Sequence, residues 1–178
     1  MKRIINIFLA AMVCFASNSC IKEKLETIYS NQESKIDSYL SKYDSTMIFR
    51  NGGSNRLTVT PGEGESLDNQ GMVSFYYAGY IFTSGAPSNA NLFITNHRET
   101  ADKAGWELTD QDFEIYEISM ADASLVEGLR KGLLGVKPGE QCEIIFSGKY
   151  GFGNKSFGMI PANSALFYRI WVVGVAND

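Results

Sequence analysis

The chain has 178 residues, 44% apolar and 20% charged, which is ordinary for a globular protein and excludes collagen-like, disordered and disulfide-scaffold classes. With 16 basic against 20 acidic side chains the formal net charge is −4, and no stretch concentrates enough basic residues to hold a phosphate backbone, so no nucleic-acid partner is expected. One histidine and three cysteines are too few for paired-imidazole or four-thiolate sites, so no metal is expected. No other cofactor is predicted.

The first twenty residues have the form of an export signal. Lys2 and Arg3 make a positive start, and an apolar run then extends to Phe15 before a few small residues precede Cys20. The run is about a dozen residues long, shorter than the ~20 that a membrane-spanning helix needs. We therefore expect residues 1–19 to be a signal peptide that is removed.

Cys20 would then be the first residue of the mature chain. The preceding residues resemble a bacterial lipobox, with Ser17 where that motif usually carries Leu. The one other cysteine left, Cys142, lies in an apolar strand pattern, where a free thiol packs as a small hydrophobe. The sequence therefore predicts lipidation of Cys20 and attachment to a membrane of the Gram-negative cell envelope, outer membrane or periplasm-facing. An unpaired exposed thiol at a frayed terminus is the alternative.

The segment 20–49 is predicted to be an N-terminal helix and linker, and 50–178 the folded domain. Ile36, Tyr39 and Leu40 stand at helical spacing and predict a short amphipathic helix over 30–43. The run 50–55, rich in turn residues, is interpreted as a break before the domain.

The rest of the chain has mostly the pattern of strands. Val-rich and aromatic runs predict strands over 57–60, 72–82, 92–94, 113–120, 141–147 and 165–175, with 72–82 central. A weak helical pattern predicts a helical insert near 98–106. Leu125, Leu129 and Leu133 stand four apart, with Gly135 where a helix C-cap belongs, and predict the main helix over 125–134. These elements indicate an α+β domain.

Five segments, in this order, resemble the successive signatures of FKBP-type peptidyl-prolyl cis-trans isomerases. They are 73–80, 125–129, 135–140, 150–153 and 160–166. The resemblance implies an FKBP-like fold, a curved antiparallel β-sheet wrapped around one short α-helix, here 125–134. It also implies rotamase activity on proline-containing segments and a role in protein folding. We expect the chain to be a monomer.

Such an isomerase needs no nucleophile. The X-Pro bond rotates over a barrier of ~18–20 kcal/mol that arises from C–N double-bond character. A dry aromatic pocket that holds the prolyl ring and offers donors to nearby carbonyls favours the twisted transition state over the planar ground state. The absence of an evident Ser-His-Asp or Cys-His set therefore counts against a hydrolase but not against this mechanism.

The resemblance also implies the site. The backbone N–H of Val126 is expected to meet a substrate carbonyl. One further aromatic is expected on the strand before the helix, where Phe113 and Tyr116 both remain candidates and Phe113 is preferred. The catalytic set is Tyr77, Phe93, Val126, Phe152, Ile160 and Tyr168, and the substrate-binding set is Phe113, Leu125 and Leu129.

Three positions depart from the family pattern. Ile94 stands where Asp commonly follows Phe, Phe152 replaces a Tyr, and Leu129 replaces the Trp that often floors the pocket. Two functions stay open. The retained Tyr77 and Val126 favour an isomerase acting on X-Pro bonds of exported proteins, whereas the missing Asp favours a catalytically silent FKBP-like module of an envelope lipoprotein that binds a protein segment.

Overall fold

The computed structural model describes the backbone of residues 2–122 and 124–177 and the side chains of residues 21–122 and 124–177. The side chains of the predicted signal segment 1–19 and of Cys20 lie outside this set, so both predictions stay predictions. No helix among the described residues is long and apolar enough to cross a membrane.

The described residues form one antiparallel sheet in the order β1-β2-β6-β7-β3-β4, with β5 pairing with β3. Strand β3 has partners on both sides, because β7 runs along its full length and β5 and β4 share its other edge. The predicted α+β fold is confirmed. The strands are β1 (Ile48–Asn51), β2 (Ser54–Thr60), β3 (Met72–Ile81), β4 (Leu92–Thr95), β5 (Tyr116–Ser119), β6 (Gln141–Phe146) and β7 (Leu166–Ala176).

Three α-helices accompany this sheet in the described part of the chain: α1 (Lys2–Leu40), α2 (Arg98–Ala104) and α3 (Glu127–Leu133). Both the helical insert and the main helix fall where the sequence predicts them. Gly105 ends α2 at φ 70°, and Gly135, with φ 81°, follows Leu134, the C-cap residue of α3. Glycine adopts this left-handed conformation without steric cost, which suits it to the turn after each helix.

Strand β1 is an element that the sequence interpretation missed. Residues 50–55 are a tight hairpin and not a break, because Gly52 and Gly53 both have positive φ and join Asn51 directly to Ser54. Two consecutive residues of positive φ match the right-handed twist of the flanking strands. The sheet therefore begins at Ile48, two residues before the predicted domain start.

The two faces of the sheet bury different helices. The pocket face, defined by Val73 and Phe75 of β3 and Tyr168 of β7, packs against α3. The back face, which includes Phe167 of β7, packs against Ile36 and the end of α1. The N-terminal helix is thus part of the packed body.

A buried hydrogen-bonded cluster fastens α1 to the back face. The Tyr39 hydroxyl donates to Glu143 Oε2 at 2.7 Å, and Arg169 Nε lies 3.1 Å from Glu143 Oε1. Burial, followed by hydrogen bonds with Tyr43 and Glu143, raises the pKa of Tyr39, so the phenol remains a donor. A buried carboxylate is tolerated only when it is paired and hydrogen-bonded, and this cluster supplies both.

A second buried ion pair fixes the end of α3. Arg56 Nη1 donates to the carbonyls of Gly132 and Leu134, at 2.9 and 2.7 Å, and Arg56 Nε lies 3.2 Å from Glu140 Oε1. The last carbonyls of a helix have no partner inside it and carry partial negative charge. The guanidinium satisfies two such carbonyls and ties the helix to β2.

Two glycines allow α3 to lie directly on β6. A Cβ atom built on Gly128 would overlap the Phe146 ring, and one built on Gly132 would overlap Ile144. Both glycines are buried and stand four apart, on one side of the helix. The distance between α3 and the sheet therefore depends on the absence of these two side chains.

We expect Gly128→Ala to lower the stability of the protein even though alanine favours a helix by ~1 kcal/mol over glycine. Overpacking a core costs ~1–3 kcal/mol, and each kcal/mol shifts the melting temperature of a protein of this size by ~2–4 °C. Thermal unfolding measures the change. Gly85→Ala, where a Cβ would meet nothing within 4 Å, is the control. A Gly128→Ala melting temperature equal to that of the parent would contradict the close contact.

Candidate active site

A hollow of about 260 Å³ opens on the pocket face between β3, β4, the start of α3 and the loop 148–163. Its lining is almost entirely apolar and aromatic, and no charged side chain is among the described lining residues. Of the residues that the resemblance implied, the hollow brings together Tyr77, Phe93, Leu125, Val126, Leu129, Phe152, Ile160 and Tyr168. Their catalytic and binding roles stay predictions.

Tyr77 is held at a point where β3 changes partner. Pairing with β5 ends at Phe75 and pairing with β4 begins at Ala78, so the backbone of Tyr77 needs other partners on that edge. The Asn96 side chain accepts from the Tyr77 N–H at 2.6 Å, and the Thr95 hydroxyl donates to the Tyr77 carbonyl at 2.8 Å. The buried Asn96 also donates to a backbone carbonyl next to β5, which fixes both edges around Tyr77.

Phe93 reaches the hollow across a glycine. Its ring passes close over Gly79, where a Cβ would lie 2.8 Å from Phe93 Cζ. On the far side it meets Tyr168 edge to face, with 5.9 Å between ring centroids. Such pairs are favourable because the positive ring edge meets the negative face of its neighbour.

The start of α3 supplies the floor. Val126 is the N-cap residue, and its carbonyl accepts the first helical hydrogen bond from Arg130 at 3.0 Å. Leu125 and Val126 are half-buried at the edge of the hollow, and Leu129 is buried one turn further on. Leu129 thus floors the hollow with an aliphatic side chain.

The loop 148–163 supplies the remaining wall. Phe152 and Phe157 stack with 4.7 Å between ring centroids, and Phe157 and Ile160 exchange two backbone hydrogen bonds of 2.9 Å. Ile160 is buried, whereas Phe157 is 63% exposed and Met159 71% exposed. The loop therefore carries an apolar rim as well as a buried wall.

Phe113 does not line this hollow, so the preference for it over Tyr116 is wrong. Residues 110–113 form a 3-10 turn closed by a capping box between Thr109 and Asp112, and β5 begins only at Tyr116. The turn carries Phe113 under the guanidinium of Arg98, 4.0 Å from the ring centroid. The signal was readable, since Thr109 followed three residues later by an acidic residue is typical of a helical start.

Tyr116 takes the aromatic position in the hollow. Its ring centroid lies 5.5 Å from that of Phe75 and 5.8 Å from that of Tyr77. Phe75, Phe157 and Met159 also line the hollow and were missed by the sequence interpretation. Phe75 was read only as part of a strand, and the other two belong to a loop in which sequence pattern does not reveal orientation.

The phenols of the half-buried Tyr77 and the buried Tyr168 remain neutral donors. Burial raises the pKa of Tyr77, with a smaller effect of Tyr116, and burial also raises the pKa of Tyr168. Both hydroxyls therefore keep their protons at neutral pH. The arrangement can surround an apolar ring and donate hydrogen bonds, but the described lining offers no ionised group for acid–base or nucleophilic chemistry.

The described residues hold no group of three or more His, Cys, Asp or Glu placed for a metal ion. Cys142 is buried without a disulfide, and burial, the largest cause, raises its thiol pKa. It packs as a small apolar residue, as the sequence predicted.

Comparison with known proteins identifies relatives of this chain. A family model described as FKBP-type peptidyl-prolyl cis-trans isomerase matches residues 69–173, more than half of the chain. The chain is 25% identical to FK506-binding protein 1 of Aspergillus oryzae over 118 residues, which cover 66% of this chain and 94% of that protein.

Two solved bacterial structures share the fold. The chain resembles FkpA from Escherichia coli with a TM-score of 0.57 and 19% identity, over 97% of this chain and 71% of that one. It resembles a peptidyl-prolyl cis-trans isomerase from Pseudomonas syringae pv. tomato with a TM-score of 0.60 and 15% identity, over 85% and 96% of the two chains.

We expect Tyr77→Phe to weaken binding of a proline-containing peptide by about three- to tenfold, the loss of one hydrogen bond, with the melting temperature nearly unchanged. Calorimetric titration and thermal unfolding measure the two effects. Tyr76→Phe, one residue away on the back face, is the matched control. Parental affinity in a folded Tyr77→Phe protein would show that the hydroxyl is not used.

Proposed function

The chain belongs to the FKBP-type peptidyl-prolyl cis-trans isomerase family, and from this membership we propose that its aromatic hollow isomerises X-Pro bonds of exported proteins without covalent catalysis. One observation supports the proposal most strongly. Eight residues implied by the family pattern, from three strands, the start of a helix and a loop, line one apolar hollow.

In the proposed mechanism the prolyl ring enters between Tyr77, Phe93 and Tyr168, with Leu129 beneath it. Apolar walls remove water from around the X-Pro bond. The planar amide loses resonance and charge separation as it twists, so a dry environment disfavours the ground state more than the transition state. The wall residues thus lower a barrier that leaves spontaneous isomerisation to take tens of seconds.

Hydrogen-bond donors orient the segment. The neutral phenols of Tyr77 and Tyr168 and the backbone N–H of Val126 are the proposed donors to carbonyls on either side of the proline. No proton transfer is required, which agrees with raised phenol pKa values and the lack of a charged side chain in the described lining.

The rim suggests the kind of segment that is bound. Ile94, Phe157 and Met159 are exposed at its edge, and exposed apolar groups around a pocket are typical of a binding surface. We propose that the bound prolines lie in extended, unfolded segments with apolar flanking residues. Such segments are available in exported proteins before they fold.

A catalytically silent binding module is the second candidate, and a specific observation favours it. Ile94 stands at the rim where the family commonly has a carboxylate, and Phe152 and Leu129 replace a hydroxyl and an indole within the hollow. These changes retain an apolar cavity but reduce its polar contacts. Such a site would bind segments without accelerating rotation.

Location is also a proposal. The predicted export signal over 1–19 and the lipobox-like residues before Cys20 support the proposal of a lipoprotein of the cell envelope, which we propose to be a monomer. The long helix α1 would then connect the lipid to the domain.

An isomerisation assay on a prolyl peptide separates the two candidates, and Ile94→Asp tests the departure at the rim. We expect catalysis by the parent and severalfold higher kcat/KM in Ile94→Asp, because a rim carboxylate orients polar groups at the pocket edge. Ile115→Asp is the matched control, since Ile115 is exposed to a similar degree outside the hollow. Peptide binding by the parent without catalysis would establish the silent module.

Cys20→Ser should move the protein from the membrane to the soluble fraction of exporting cells, because lipid is the proposed anchor. Fractionation followed by immunoblotting measures the distribution. Ser19→Ala, which keeps the cysteine and a small preceding residue, should remain with membranes. A parent protein found in the soluble fraction would contradict lipid anchoring.

A further inference from the structure

The loop 148–163 forms one wall of the hollow. Its two ends, Gly148 and Asn163, meet at a point that we call its neck. Its two ends approach closely, since a Cβ on Gly148 would lie 2.5 Å from the Asn163 carbonyl oxygen. Inside the loop, Gly151 and Gly153 bond back to Gly148, and the Asn163 N–H donates to Gly153 at 2.6 Å. A compact loop with touching ends is an Ω-loop in form.

The neck is closed by a side chain from outside the loop. Gln32 of α1 accepts from the Gly148 N–H through Oε1 at 2.9 Å and donates through Nε2 to the Asn163 carbonyl at 2.6 Å. One amide group thus bonds both sides of the neck. Both backbone groups would otherwise have to find water or remain unpaired.

A second α1 residue supports the same point. The Tyr29 hydroxyl donates to Asn163 Oδ1 at 2.8 Å. Asn163 has a φ of 61°, the left-handed conformation that only glycine and a few short polar residues adopt readily. Two side chains of one helix therefore hold a residue whose backbone is in an uncommon conformation.

Gln32 is held in place by its neighbours on α1. Tyr29, Gln32, Ile36 and Tyr39 succeed one another at spacings of three or four, so they share one face of α1. Ile36 is fully buried in the back-face core, and Tyr39 is fixed by Glu143. A rigid, anchored helix presents the amide to the loop.

We propose that Gln32 is a positioning residue for the pocket: it closes the neck of the loop 148–163, with help from Tyr29, and so holds Phe152 and Ile160 against the hollow. The inference rests on the proposed function of that hollow. It means that α1 on the back face controls the order of the wall on the pocket face. A domain cut at residue 50 would lack this control.

The test compares Gln32→Ala with the parent in the full-length protein, purified in mild detergent. Hydrogen exchange of segment 148–163 should become faster while that of β6 and β7 stays the same. The Kd for a proline-containing peptide should rise about fivefold, and KM should rise more than kcat falls, because the loss is one of uniform binding.

Three further variants distinguish positioning from a general loss of stability. Gln32→Glu at pH 8 keeps the acceptor for Gly148 and loses the donor to Asn163, so its loop exchange should lie between those of the parent and Gln32→Ala. Ile36→Val lowers stability by removing one buried methylene from the same helix but leaves it packed and the Gln32 amide in place, so loop exchange and peptide affinity should stay unchanged. Asn31→Ala, an exposed neighbour on α1, should match the parent.

Parental loop exchange in a folded Gln32→Ala protein would overturn the inference, and so would an equal effect of Ile36→Val. Should Gln32→Ala fail to fold, Tyr29→Phe provides the same exchange measurement with a smaller change. If the parent neither binds nor isomerises prolyl peptides, the proposed function fails, while the exchange data still decide whether Gln32 orders the loop.

Discussion

The contact between α3 and β6 is the constraint on which the hollow depends. Gly128 and Gly132 have no side chain, so the backbone of α3 lies directly against the side chains of Phe146 and Ile144 on β6. Arg56 then ties the last carbonyls of the helix to β2. Because α3 lies this deep, Leu129 floors a hollow and does not fill it.

Residues that do not line the hollow hold its other walls in place. Asn96 and Thr95 satisfy the backbone of Tyr77 where β3 changes partner, and Gln32 closes the loop that carries Phe152. The lining itself needs only shape, apolar surface and neutral donors, in keeping with an isomerase family that breaks no covalent bond. The polar residues that fix the geometry of the site therefore lie outside it. Their buried hydrogen bonds position the wall residues without adding polar groups to the hollow.

Elements whose signal is local were predictable from the sequence. Runs rich in aromatic and β-branched residues identified β3 and β7, because such residues favour strands. Leucine spacing with a terminal glycine identified α3, because side-chain periodicity reflects which face of a helix is buried. The pocket residues from these elements were implied by the family resemblance, whose motifs span them in order. Where a local signal was missed, as with the helical start at Thr109 before Phe113, the wrong residue was preferred over Tyr116.

The sequence by itself thus determined the class of fold and the main helix through local pattern, and most of the lining through the family resemblance that its motifs carry. Only the tertiary structure decided that α1 packs on the back face, and that Gln32 meets Gly148 and Asn163 more than a hundred positions away. A polar residue on a helix has no sequence signal for such a partner, because a hydrogen bond depends on distance and direction in space. The same limit explains why the order of the pocket wall could not be read from the wall residues alone.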